Sequence, residues 1–136
     1  QVVKMREWYR PIAPIMLRAV ADKVATTPIH HLAKYMLLDY HIKAEYAQNL
    51  EGVIHANGTA RIQSLEAEED NPFMYRLLSY LYHKHNILGL INTSFNVQGQ
   101  PIVHTASDAL EASRQMGLDG LILNHKLVLK DELARY

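Results

Sequence analysis

Cysteine is absent from all 136 residues, which excludes disulfides and thiolate-held metal sites. Glycine and proline are scarce, six and five in number, and the hydrophobic share of 49% is that of an ordinary globular protein. An excess of either charge is also missing, since fourteen basic residues cancel fourteen acidic ones. Such a chain lacks the electrostatic footprint of a dedicated nucleic-acid binder, although a local basic patch escapes that count. No apolar run approaches the ~20 residues that span a bilayer. There is no Walker loop, no G-x-G-x-x-G, no G-x-S-x-G elbow and no H-E-x-x-H, so the standard nucleotide cradle, serine-hydrolase turn and zinc helix are all missing. Gln1-Val2-Val3-Lys4 has no signal-peptide pattern and no initiator Met, and is read as the start of one domain cut from a longer, cytoplasmic protein.

What is present alternates between helix and strand signals. Val2 to Glu7 reads as an extended segment, followed by turns at Pro11 and Pro14. Leu17 to Val24 has helical spacing. Tyr35 to Ile42 and Val53 to Ala56 have strand composition, and Asn57-Gly58 followed by Arg61 to Leu65 predicts a hairpin. Asn71-Pro72 caps a helix running to about His85, with Phe73, Leu77, Leu78 and Leu81 on its buried face. Ile87 to Ile91 reads as a buried central strand. Thr105 and Asp108 have capping-box spacing for a second helix that Gly117 ends. Leu118 to Leu123 and Lys126 to Leu129 are strand candidates around Asn124-His125. The expected fold is α/β, a single domain on a twisted mixed sheet with helices packed against it.

Groups suited to anions gather at expected loops and strand ends. Lys4 and Arg6 share a face of an extended segment, offering one point charge and one planar fork, with Arg10 at the next turn. A solvated surface strand accounts for the same spacing. In His55 to Gln63 a glycine-containing turn offers backbone N–H groups, and Arg61 and Gln63 share a face; a plain hairpin is the alternative. Asn92-Thr93-Ser94-Phe95-Asn96 directly follows the apolar run, where ligands of α/β domains bind. Asx and Ser/Thr turns explain several of these residues, but less well why Ser94 and Asn96 again sit two apart. Phe95 is then expected to point into the core, with Ser94 and Asn96 facing Lys4 and Arg6 across a pocket. His30-His31 and His83 with His85 lack the helical spacing of metal ligands, so no metal site is assigned.

The runs KMREWYRPIAP, YMLLDYHIK, VIHANGTARIQ, NPFMYRLLSYL, INTSFNVQGQPIV, SDAL and LDGLIL stand in this order from Lys4 to Lys130. In this the chain resembles the O-carbamoyltransferase family, which includes nodulation-factor and antibiotic carbamoyltransferases. The resemblance implies a YrdC-like C-terminal domain that binds carbamoyl phosphate and ATP, with Mg²⁺ accompanying ATP, and forms carbamoyl adenylate. A larger N-terminal Kae1-like domain of the same chain would pass the carbamoyl group to an acceptor hydroxyl. The family's Lys-x-Arg and Ser-x-Asn pairs fall on Lys4 and Arg6, and on Ser94 and Asn96. Arg10, Arg61, Asn92 and Thr93 match further family positions and complete the implied substrate-binding set. One departure is Asn57, where the family usually has Asp; an Asx turn accepts either residue, a charged role does not.

The implied chemistry suits these side chains. Two polyanions are brought together by basic groups, a carbamoyl oxygen attacks the α-phosphorus, and positioning with electrostatic stabilisation replaces a protein nucleophile. The competing readings are an RNA-binding module, which salt-sensitive RNA retention would reveal, and a non-catalytic subdomain of a larger enzyme. Neither a membrane nor a nucleic acid is expected as partner.

Overall fold

An all-apolar strand organises the fold. Ala13–Leu17 (β1) is buried except at half-buried Ile15, as a strand with neighbours on both edges must be. The computed structural model describes residues 12–133 and Arg135, so the expected extended segment Val2 to Glu7 and Pro11 lie outside it. These described residues divide into two compact units, residues 12–93 and residues 94–133 with Arg135.

In the first unit, β1 runs straight into α1 (Arg18–Val24), which buries Val20, Ala21 and Val24. A 3₁₀ helix (His31–Tyr35), β2 (Tyr40–His41), α2 (Ala44–Ala47), a second 3₁₀ helix (Gln48–Val53), β3 (Thr59–Ala60) and β4 (Gln63–Leu65) follow. After a 3₁₀ turn at Glu68–Asp70 come α3 (Pro72–His85) and β5 (Leu90–Asn92). β4 and β5 flank β1, the first parallel and the second antiparallel, so the three-stranded sheet is mixed as expected. Met16, Val20, Val24 and Ile62 lie at its heart with at most 2% exposure. Burying each such side chain contributes about 1.5–3 kcal/mol. In the second unit, α4 (Ala106–Gln115) precedes the hairpin of β6 (Gly120–Leu123) and β7 (Lys126–Leu129), and α5 (Lys130–Leu133) follows. The fold is α/β.

Local signals placed several elements correctly. The Asn71 side chain accepts from Met74 N, and Pro72 opens α3. Asn86, at φ 53°, ends the helix, with its own N–H and that of Ile87 donating back to Tyr82 and Leu81. Thr105 and Asp108 form the reciprocal box at the start of α4. Asn124 and His125 both have positive φ, the backbone a two-residue hairpin turn requires.

Other expectations need correction. Pro14 is no turn residue but lies within β1. It precedes Ile15–Leu17, the residues paired to β4, so its missing N–H removes no bond from that ladder. Tyr35 to Ile42 is not one strand: Met36 turns left-handed after the first 3₁₀ helix, and only Tyr40–His41 pairs with β3. The expected hairpin between Val53 to Ala56 and Arg61 to Leu65 does not form either. His55 and Thr59 close the Asn57-Gly58 turn upon themselves, β3 pairs with β2, and β4 joins β1. Among the described strands, Ile87 to Ile91 does not form a central strand. The strand begins at Leu90 and pairs with β1 at the end of the strand order, leaving Ile91 57% exposed. On α3, Phe73 is exposed, whereas Met74, Tyr75, Leu78 and Tyr82 pack on the core. The buried stripe is therefore rotated by about one residue from the one the leucines suggested.

Candidate functional site

In the first unit the strand ends gather amide groups. Ile15 of β1 stands beside Gln63 on one side and Leu90 on the other, and Asn92 stands opposite Ala13. Side chains two apart on a strand share a face, so Gln63 and Asn92 meet over β1. Asn92 Nδ2 donates to Gln63 Oε1, and Gln63 Nε2 donates to the Lys34 carbonyl at 3.1 Å. These residues line an open cleft of about 480 Å³ together with Tyr35, Asn71 and Met74. Thr93, the next candidate, is exposed.

Arg61 lies between β3 and β4 and is half-buried. Its Nε is buried and has no hydrogen-bond partner among the described residues. An orphaned guanidinium donor is costly unless something outside the protein satisfies it. Nearby in sequence, Asn57 Oδ1 accepts from the Thr59 backbone N–H at 3.2 Å and from Thr59 Oγ1 at 2.7 Å. This is an Asx turn, in which Asn and Asp are equivalent, so the turn itself accepts either residue at position 57.

In the second unit, Ser94 and Asn96 are brought together as their spacing suggested. Ser94 Oγ donates to Asn96 Oδ1 at 2.9 Å, while Asn96 Nδ2 donates to the Val97 and Gln100 carbonyls at 3.1 and 2.8 Å. Asn96 thus pins a tight turn in which Gly99 has φ +79°. Phe95 does not enter a core as expected; it is half-buried, its carbonyl accepts from Val103 N, and it lines a cavity with Ala109 and Leu121. The end of this loop borders a second cavity of about 340 Å³, walled by Asp108 and Glu111 of α4. The Thr105 backbone N–H, then its side chain and the His104 N–H, hold the Asp108 carboxyl below its usual range. Gln115, then Arg114, does the same for Glu111. Two ionised carboxylates make this cavity unsuited to phosphate.

Lys4, Arg6 and Arg10 lie outside the described residues, and with them the expected pocket between Lys4, Arg6, Ser94 and Asn96. Gln63 and Lys34 enter the site without having been assigned to it. The only signal for Gln63 was that it shares a face with Arg61, and nothing local marks the Lys34 carbonyl. Among the described residues, no three His, Asp or Glu side chains group to hold a metal, and no helix is long and apolar enough to cross a membrane.

Comparison with known proteins supplies what geometry alone does not. An uncharacterised protein of Methanocaldococcus jannaschii is 34% identical over 126 residues, covering 93% of this chain and 20% of that protein. Nodulation protein NolO of Bradyrhizobium diazoefficiens is 32% identical over 131 residues, 95% of this chain and 24% of that protein. The 3'-hydroxymethylcephem-O-carbamoyltransferase of Amycolatopsis lactamdurans is 31% identical over 121 residues, 89% of this chain and 22% of that protein. The chain therefore spans about a quarter of the length of the curated relatives it matches. The family described as carbamoyltransferase C-terminus matches residues 1–130. This chain belongs to the carbamoyltransferase C-terminal family.

Proposed function

We propose that the chain binds carbamoyl phosphate and ATP and forms carbamoyl adenylate, which an N-terminal domain of a longer protein transfers to an acceptor hydroxyl. Family membership supports the carbamoyl chemistry, and the observation that carries the anion-binding part is the buried Nε of Arg61, which has no hydrogen-bond partner among the described residues. A phosphate oxygen satisfies such a donor with a charge-assisted hydrogen bond. Lys4, Arg6 and Arg10 supply the remaining positive charge in this reading. Asn92, Thr93, Ser94 and Asn96 supply neutral donors and acceptors. Atoms balance if water first releases phosphate from carbamoyl phosphate to leave carbamate. A carbamate oxygen then bonds to the α-phosphorus of ATP as the bond to pyrophosphate breaks. Mg²⁺ travels with the ATP phosphates, whose oxygens are the ligands it prefers. The side chains position two anions and screen their repulsion, which is what phosphoryl chemistry asks of a protein.

Calorimetry of the full chain with carbamoyl phosphate and with ATP tests the proposal. Lys4→Ala, Arg6→Ala and Arg61→Ala are each expected to weaken binding of one or both by more than tenfold, since losing a charge-assisted contact costs about 1.5–3 kcal/mol. Unchanged affinities in a folded Lys4→Ala/Arg6→Ala double variant would overturn it.

A further inference from the structure

We infer that Asn92 presents a fixed hydrogen-bond acceptor, its Oδ1, to a planar –NH₂ group of the bound substrate, and that Gln63 is the positioning residue that fixes this polarity. The inference rests on the substrate reading above and gives one residue of that site a chemical task.

The argument needs only the positions of the heavy atoms. Gln63 reaches the Lys34 carbonyl at 3.1 Å. A backbone carbonyl can only accept, so the Gln63 amide nitrogen must lie on that side and its oxygen on the other. That oxygen faces Asn92, which must therefore offer its own nitrogen. Asn92 Nδ2 also lies 3.6 Å from Met36 Sδ, a weak acceptor, so both of its protons are occupied. The chain of amides runs in one direction because it ends on a group that cannot donate. Among the described residues no hydrogen bond engages Asn92 Oδ1, and Asn92 lines the open cleft.

An acceptor with no alternative orientation discriminates by hydrogen-bond polarity. It takes an N–H donor and is opposed by a lone pair in the same place, and leaving it buried without a donor costs the desolvation of a carbonyl. A carboxamide able to flip would tolerate either. Two groups in the proposed substrates carry this donor, the carbamoyl amide and the 6-amino group of adenine. Each has an analogue without it: acetyl phosphate replaces the amide nitrogen with a methyl group, and inosine triphosphate replaces the adenine amine with an oxo group.

The test is calorimetry of the full chain with both pairs, carbamoyl against acetyl phosphate and ATP against inosine triphosphate. The unsubstituted protein is expected to prefer the amino member of at least one pair by roughly five- to tenfold or more. Asn92→Ala should erase that preference by weakening the amino ligand, with acetyl phosphate unchanged and inosine triphosphate unchanged or tighter as the opposing lone pair is lost; if Asn92→Ala does not fold, Asn92→Ser carries the same test. Gln63→Leu, which lets Asn92 turn over, should bring the ratio towards one, with acetyl phosphate unchanged and inosine triphosphate bound more tightly because its oxo group then accepts from the turned amide, an effect that loss of packing alone would not produce. Loss of preference in the phosphate pair assigns the acceptor to the carbamoyl amide; loss in the nucleotide pair assigns it to adenine. Preferences unaffected by Asn92→Ala, or absent from the start, overturn the inference even where carbamoyl phosphate binds. If the chain binds ATP but not carbamoyl phosphate, the substrate reading fails and the nucleotide pair alone decides the acceptor. If it binds neither, both fall.

Discussion

Asn57 accepts two hydrogen bonds from Thr59, one from the backbone N–H at 3.2 Å and one from Oγ1 at 2.7 Å. Because the Thr59 hydroxyl spends its only proton on Asn57, it accepts from His55 Nδ1, 3.1 Å away. Among the described residues the Asn57 side chain bonds through its oxygen, and a carboxylate offers the same oxygen. Asn57→Asp is therefore expected to leave stability within about 0.5 kcal/mol and binding unchanged. Asn57→Ala, which removes both acceptances, should cost about 1–2 kcal/mol in urea denaturation.

Gly89 precedes β5 against the middle of β1. A Cβ there would lie 2.6 Å from the Ile15 carbonyl oxygen and 3.2 Å from Met16 Cβ. Both belong to the central strand, held by ladders on two sides, so neither yields cheaply. Gly89→Ala should lower stability by about 1–3 kcal/mol through overpacking. It should also weaken ligand binding, since β5 carries Asn92; calorimetry and thermal melting report the two effects separately.

Ser64 is fully buried, and its Oγ has no hydrogen-bond partner among the described residues. A hydroxyl in that position costs desolvation and recovers nothing. Ser64→Ala is expected to leave stability unchanged or raise it by about 1 kcal/mol. A clear loss in denaturant titration would mean that Ser64 has a partner in solution, such as a buried water.

At the start of α4, the Thr105 backbone N–H, the Thr105 side chain and the His104 N–H hold the Asp108 carboxyl below its ordinary value of 3.8. A carboxyl depressed in the folded state adds stability that is fully present above its unfolded value and is lost as pH falls through the folded one. Hydrogen exchange at the first turn of α4 should therefore speed up on acidification below about 3.8, and Asp108→Asn should remove that dependence. Thr105→Ala should cost about 1 kcal/mol at neutral pH, because it deletes the cap itself.

The sequence by itself determined the elements whose hydrogen bonds close within four residues. Asn71 and Pro72 start α3, Thr105 and Asp108 start α4, and Asn124-His125 turns β6 into β7, each through contacts between near neighbours. The meeting of Ser94 with Asn96 also closes between near neighbours, two residues apart in the chain. Tertiary structure decided the sheet. Ala13–Leu17 carries no alternating pattern, and it becomes the centre only because β4 and β5, far along the chain, pair on its two edges. That pairing put Leu90–Asn92 at the end of the described strand order, where Ile91 is exposed, against what an apolar run suggests. The same pairing made the candidate site more than a set of motifs. Gln63 and Asn92 are 29 residues apart and touch only across β1, and the Lys34 carbonyl that orients them belongs to a third segment. Periodicity records which face a side chain takes along its own strand, but not which strand will lie beside it.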